Sequence, residues 1–276
     1  MQHKTITVFF AVFSFLFVKA QEAIPEDSSE SVVESVLADT TGAETHYYRL
    51  NGEFLKTFPP SFAYTVSRPF HWKSGSWLKA GAAVGSIGGL MLLDREIKSV
   101  VQANRSKLVN KFFNTVEPFG NRYTPYILAG MFGVGELTQD RKLSHVALSS
   151  ARSLLVSTAI YTSIKGFTRR LRPDSSASQF RFGAPFKVGY TSFPSGHTNT
   201  VFSVATTIAL EYREIKWVPW VTYSLASLTG FSRVVQNRHW TSDVVTGAIL
   251  GHFTARGVYL WEQHKNRKSI PSTPPI

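Results

Sequence analysis

Beyond residue 76 the chain alternates between apolar runs and polar, basic connections. The runs cover 77–93, 123–137, 145–164, 198–210, 217–231 and 244–261. Ala, Leu, Gly, Ser and Thr dominate them, strict alternation is rare, and each run is too long for an ordinary strand, so the pattern predicts helices. Pro and Gly fall mainly in the connections, as at 121–125 and 172–195. The expected fold is therefore all-α, a bundle of about six core helices within a domain at 77–265. The segment before it, up to 76, is aromatic and turn-rich around Pro59, Pro60 and Pro69, and packing without long regular elements is expected there.

The N-terminus follows a different pattern. Lys4 precedes the apolar stretch 6–18, and Ala20 stands before Gln21, the arrangement of a cleavable export signal at 1–20. Residues 21–45 then hold seven acidic residues and no basic ones, which reads as a loosely structured acidic arm running on into the segment up to 76. A short tail is expected at 266–276. The localisation implied is export to the cell envelope or periplasm, with association with a membrane or insertion into it as a further possibility.

Whether the runs cross a membrane is decided by charge and length. A span needs about 20 largely apolar residues. Lys79 and Asp94 bracket most of the first run, Arg152 interrupts the third, and His252 and Arg256 interrupt the last. On this count a soluble or surface-bound envelope protein ranks slightly above an integral one, while Gly81, Gly85, Gly88 and Gly89 would suit close packing in lipid.

Composition changes the picture through charge. A formal net charge of +12 points to anionic partners such as phosphates or acidic headgroups. The basic residues are spread over the connections without a recognition motif, so no nucleic-acid partner is expected. With no cysteine there is no disulfide framework, thiolate metal site or thiol nucleophile. No Asp/Glu/His cluster stands at ligand spacing, so neither a metal site nor a cofactor is expected; His46, His71, His145 and His264 read as scattered surface or core residues.

Three stretches carry candidate chemistry. In KGFTRRLRP, Lys165 and Arg172 are seven residues apart and Pro173 stops the helix. Two cations on one face suit a tetrahedral oxyanion, although a lysine capping a helix end is the plainer reading. In FPSGHT, Ser195 is an N-cap candidate, Gly196 permits close backbone approach, and His197 would stand beside an anion held by the first helical N–H groups. The alternative is an ordinary cap with a surface histidine. In SRVVQNRHWTSD, a helical register would place His239 and Asp243 one turn apart, so the carboxylate could accept from Nδ1 and leave Nε2 as nucleophile or base. Arg233 would clamp an anion; a solvated helix start is the bland alternative.

Taken together and in this order, the three stretches resemble the tripartite signature of the type 2 phosphatidic acid phosphatase family, which is related to vanadium haloperoxidases and bacterial acid phosphatases. The resemblance covers about 165–247, and Asn237 departs from the glycine common at that position. It implies that His239 attacks phosphorus to form a phosphohistidine, that Asp243 orients it, and that His197 protonates the leaving alcohol. Lys165, Arg172, Ser195, Gly196 and Arg233 would hold the phosphate, with no metal. In an up-down bundle the three motifs meet at one end. The implied activity is metal-independent hydrolysis of a phosphomonoester or lipid (pyro)phosphate. Substrates would be a phosphorylated lipid, met at a membrane surface, or a small phosphomonoester. A vanadate-dependent haloperoxidase and a non-catalytic phospholipid- or phosphate-binding envelope protein are the rival readings.

Overall fold

A computed structural model describes residues 47–268, so the expected signal at 1–20, the acidic stretch 21–45 and all but the start of the expected tail lie outside the described residues. Tyr48–Glu262 forms one compact unit. Its helices are α1 (Gly52–Lys56), α2 (Phe58–Ser67), α3 (Ser74–Ala103), α4 (Lys107–Val116), α5 (Thr124–Thr138), α6 (Arg141–Thr168), α7 (Gly196–Glu211), α8 (Trp217–Val235) and α9, which runs on to Lys268 from Thr241. Among the described residues the only β-type pairing is an isolated bridge between Arg170 and Phe182. The six runs read from the sequence correspond to α3 and α5–α9.

Two segments are more regular than expected. The stretch before residue 76 contains α1 and α2, with Asn51 capping α1 by accepting the Phe54 N–H. The connection between the first two runs contains α4, capped by Ser106 and followed by a 3-10 turn at Glu117–Gly120. The cap at Ser106 and apolar residues at 108, 109, 112, 113 and 116 are the signals that a helix-period reading of this connection contains.

The helix ends follow from local chemistry. Asp140 accepts the Leu143 N–H and starts α6. That helix stops at Arg169, whose φ of 41° places it in the left-handed region that closes helices. Asn237, at φ 58°, turns the chain sharply after α8. Asparagine tolerates that region better than most residues, which explains how it serves where a glycine would otherwise stand.

Many hydroxyls lie in the interior beside apolar side chains such as Val146, Phe202 and Val258, while several large apolar residues stay exposed. On α6, Ser149, Ser153 and Ser157 recur every four residues, all buried; Ser157 donates to Asn199 and Thr207 donates to Ser153. Gly247 and Gly251, one turn apart on α9, let it press against α7: an added Cβ would fall 2.4 Å from Ser195 O and from Asn199 O respectively. Meanwhile Leu78 (77% exposed), Leu92, Tyr126, Trp217 and Trp220 face outward. A residue pattern with hydroxyls inside and large apolar groups outside is the reverse of a water-facing surface.

Two charges that broke the apolar runs in the sequence prove to be internally paired. Asp94 is buried against Arg170, so α3 runs straight through it for 30 residues. By length and composition α3 could cross a membrane, and its most apolar stretch is not buried. That finding supports association with a membrane. Arg152 is buried beside Glu262, which also accepts from Ser149, and its guanidinium lies over the rings of Tyr48, Phe54 and Trp261.

Candidate active site

The three motif stretches meet at one end of α6, α7 and α8. The last turn of α6 supplies Lys165, whose ammonium donates to Thr191 O at 2.9 Å and so ties the helix end to the chain entering α7. Thr168 adds a second tie to Phe193 O. Ser195 N donates to Asp243 O at 3.0 Å, joining the second motif to the third. Lys165, Arg172 and Arg233 all surround the histidines closely enough to act on their ionisation.

His239 is buried in the turn before α9 rather than on a helix. Its Nδ1 donates to Ser192 O at 2.7 Å, while the Asp243 carboxylate stands 3.8 Å away, beyond hydrogen-bond reach. The expected direct Nδ1–Asp243 bond is therefore replaced by a backbone carbonyl. The consequence for the ring is the same: with the proton held on Nδ1, Nε2 carries the lone pair.

Asp243 instead organises the turn. Its carboxylate accepts from Arg170 Nη1 at 2.7 Å, from Ser192 Oγ and from Trp240 N at 2.9 Å. The bond from Trp240 N is a capping-box closure, in which an acidic residue in the first helical turn satisfies the amide just before the helix. By gripping Ser192 it also positions the carbonyl that holds His239.

Two residues of this network carry no motif signal. Arg170, fully buried, bridges Asp243 and Asp94 through its two terminal nitrogens. Asp94 accepts in turn from Ser242 N, the second amide of α9. The sequence reading took Asp94 as the edge of an apolar run, and nothing local marks it otherwise; its partner lies 76 residues away.

His197 occupies the second position of α7, after Ser195 at the N-cap. Ser195 is fully buried, but its hydroxyl accepts from Thr198 Oγ1 rather than from a backbone amide. Gly196 serves packing in this structure, since an added Cβ would meet the Tyr161 ring at 3.1–3.2 Å. His197 Nε2 lies 2.8 Å from Glu117 Oε1, and the same oxygen accepts from Arg233 Nη1 at 2.6 Å. Glu117 belongs to the 3-10 turn after α4 and was not singled out in the sequence.

The electrostatics favour an anion. The Nε atoms of Arg172 and Arg233 are buried donors without a protein acceptor, and leaving such donors unpaired is costly. Burial pulls the Lys165 ammonium down to about 8, with Arg172 adding repulsion and Asp243 opposing. Burial likewise pulls His239 down to about 4, against the pull of Asp243. His197 falls to about 4 through burial and Arg233, with Glu117 opposing. An arriving dianion would offset all of these, because it supplies the negative charge that burial and crowded cations demand.

A second cluster lies elsewhere in the bundle. Ligand atoms of His145, Glu211 and Glu262 fall within 4.8 Å of one another, and His145 is a buried core residue. The donor set does not fit a metal. His145 Nδ1 accepts the Tyr48 N–H at 3.2 Å, which places the neutral ring's proton on Nε2, the atom facing Glu211. Glu262 is already engaged by Arg152 and Ser149.

Residues 146–267 match the family model described as PAP2 superfamily. The chain is 36% identical over 122 residues to a lipid A 1-phosphatase of Porphyromonas gingivalis, covering 44% of this chain and 25% of that protein. It is 31% identical over 147 residues to a probable lipid phosphate phosphatase 4 of Arabidopsis thaliana, covering 43% and 48%. The chain thus spans between a quarter and a half of the length of these relatives. The crystal structure of Aquifex aeolicus LpxE superposes with a TM-score of 0.47 at 22% identity, over 60% of this chain and 93% of that one. The matched segment, less than half of the chain, contains the seven-residue Lys165–Arg172 spacing, the Ser195–Gly196–His197 turn and the Arg233, His239 and Asp243 set, and in it the chain is similar to the PAP2 superfamily.

Proposed function

We propose that this protein is a lipid phosphate phosphatase that works through a phosphohistidine. The observation that carries the reading is the 2.7 Å bond from His239 Nδ1 to Ser192 O, because it leaves the Nε2 lone pair available beside buried arginine donors. In the first step Nε2 attacks phosphorus, the bond from phosphorus to the ester oxygen breaks, and protonated His197 gives its proton to the leaving oxygen. In the second, His197 takes a proton from water, the resulting hydroxide attacks phosphorus, and the N–P bond breaks to release inorganic phosphate and the free imidazole. Lys165, Arg172, Arg233 and the first turn of α7 would stabilise charge on the equatorial oxygens, where phosphoryl transfer needs most help.

Two features support a lipid substrate met at a membrane. The apolar flanks, with α3 as a candidate span, suit contact with hydrocarbon. An apolar groove of about 100 Å³ is lined by Phe119, Ile127, Val201, Ile208 and Leu225, and Phe119 precedes Gly120, which packs on His197. An acyl chain of the substrate would fit its chemistry. Relatives named as lipid phosphatases agree with this choice. The expected export signal at 1–20 would deliver the domain to the cell envelope.

The test is phosphate release from phosphatidate in mixed micelles and from an aryl phosphate, with EDTA present, comparing the wild type with His239→Ala. Turnover on the lipid that vanishes in the variant is expected. Vanadate-stimulated halide oxidation without phosphate release would favour the haloperoxidase alternative instead, and phosphate binding without turnover a pure binding role.

A further inference from the structure

Glu117 places a carboxylate where the proposed reaction would place phosphate. A single oxygen, Oε1, accepts from Arg233 Nη1 at 2.6 Å and lies 2.8 Å from His197 Nε2. These are a cation of the third motif and the imidazole of the second. Glu117 itself lies outside the matched segment and is brought in by the turn at Glu117–Gly120.

That turn is firmly seated. Thr229 Oγ1 donates to Val116 O at 3.1 Å, and Gly120 packs so closely on His197 that an added Cβ would fall 2.8 Å from its Cβ. Arg233 is held in place independently of Glu117, since its Nη1 also donates to Gln236 Oε1 at 2.7 Å, and Gln236 donates to Asn114 at 2.8 Å. The side chain of Glu117 is 25% exposed against 8% for Arg233. The carboxylate can therefore swing toward water while its partners stay fixed. The charged groups facing it are His197 from α7 and Arg233 from α8, with Arg172 acting on the same imidazole from the connection after α6.

Three cations that grip a phosphoryl group would grip inorganic phosphate equally well, because the equatorial oxygens are common to substrate and product. A tethered anion at high effective concentration offsets that retention. We propose, building on the phosphatase reading, that Glu117 is such a competitor: it swings aside when the phosphoryl group arrives and reclaims Arg233 and His197 as inorganic phosphate leaves. Balance is simple, since no bond is made or broken at Glu117.

The sign of one measurement decides this. Inorganic phosphate would be titrated calorimetrically into the full chain in detergent micelles, for the wild type, Glu117→Gln and Glu117→Asp, with folding checked by thermal melting. Removing one charge-assisted competitor should tighten phosphate binding about tenfold in Glu117→Gln. The phosphate inhibition constant should fall in the same ratio, with kcat lowered as product lingers. Glu117→Asp, with its carboxylate drawn back by one methylene, should bind phosphate with intermediate affinity, and it carries the test if the Gln variant fails to fold. Unchanged or weaker phosphate binding overturns the competitor role, since a residue that only oriented Arg233 and His197 would weaken binding when lost. If turnover persists in the wild type under that result, the phosphatase reading stands alone. Absence of saturable phosphate binding in every protein, together with absence of turnover, overturns both.

Discussion

Asp243 stands 3.8 Å from His239 Nδ1 yet only 2.7 Å from Arg170 Nη1, so the carboxylate one turn from the histidine bonds a buried arginine rather than the ring. The imidazole is held by Ser192 O, and Asp243 holds Ser192. Its effect on the ring is partly electrostatic and partly through the geometry of the turn.

Asp243→Asn should therefore do more than slow the reaction. Removing one charge from the buried Asp94–Arg170–Asp243 arrangement leaves Arg170 undercompensated, a change that typically costs about 3–5 kcal/mol. Denaturant unfolding should show that loss alongside a large fall in kcat. A variant as stable as the wild type would mean that Asp94 alone suffices for Arg170.

The pH profile should separate the free site from the occupied one. In the free protein His197 and His239 both lie at about 4, so above that pH His239 is neutral, as the proposed attack would require, while His197 has lost the proton that the proposed mechanism assigns to the leaving oxygen. A phosphate dianion raises His197 on binding. The profile of kcat should consequently peak at higher pH than that of kcat/KM, and loss of the Lys165 charge near 8 in the free protein should lower kcat/KM on the alkaline side. Coincident profiles would contradict this assignment. The same depression has a stability sign: His239 takes up its proton near 6.5 when unfolded but only near 4 when folded. The unfolded state therefore binds more protons in that window, and stability is lost as pH falls through it. Denaturation midpoints at about pH 7 and about pH 5 should differ in that direction, and less so in His239→Gln.

Gly247→Ala tests whether helix contact sets the site. Its Cβ would land 2.4 Å from Ser195 O, forcing α7 and α9 apart at the turn that carries His197, an overpacking that typically costs about 1–3 kcal/mol. Activity should fall with it. Gly130→Ala is the control: it sits exposed within α5 with nothing within 4 Å, so it should be neutral or stabilising by about 0.5–1 kcal/mol with activity kept.

The sequence by itself determined the six principal helices, because apolar runs of helical length bounded by Pro, Gly and caps have few other solutions. It also singled out Lys165, Arg172, Ser195, His197, Arg233, His239 and Asp243 as candidates, since they fall at spacings a short segment can display. It misjudged charge: Asp94 and Arg152 looked like breaks in apolar runs because a lone charge is costly to bury, and their partners, Arg170 and Glu262, are far along the chain. Only the tertiary structure decided that Ser192 rather than Asp243 holds His239, that Glu117 sits between His197 and Arg233, and which hydroxyls are buried and which large apolar side chains stay exposed. Each of those depends on which elements become neighbours. Periodicity along one helix shows which residues share a face, but the identity of the group that face meets is fixed only when the bundle closes.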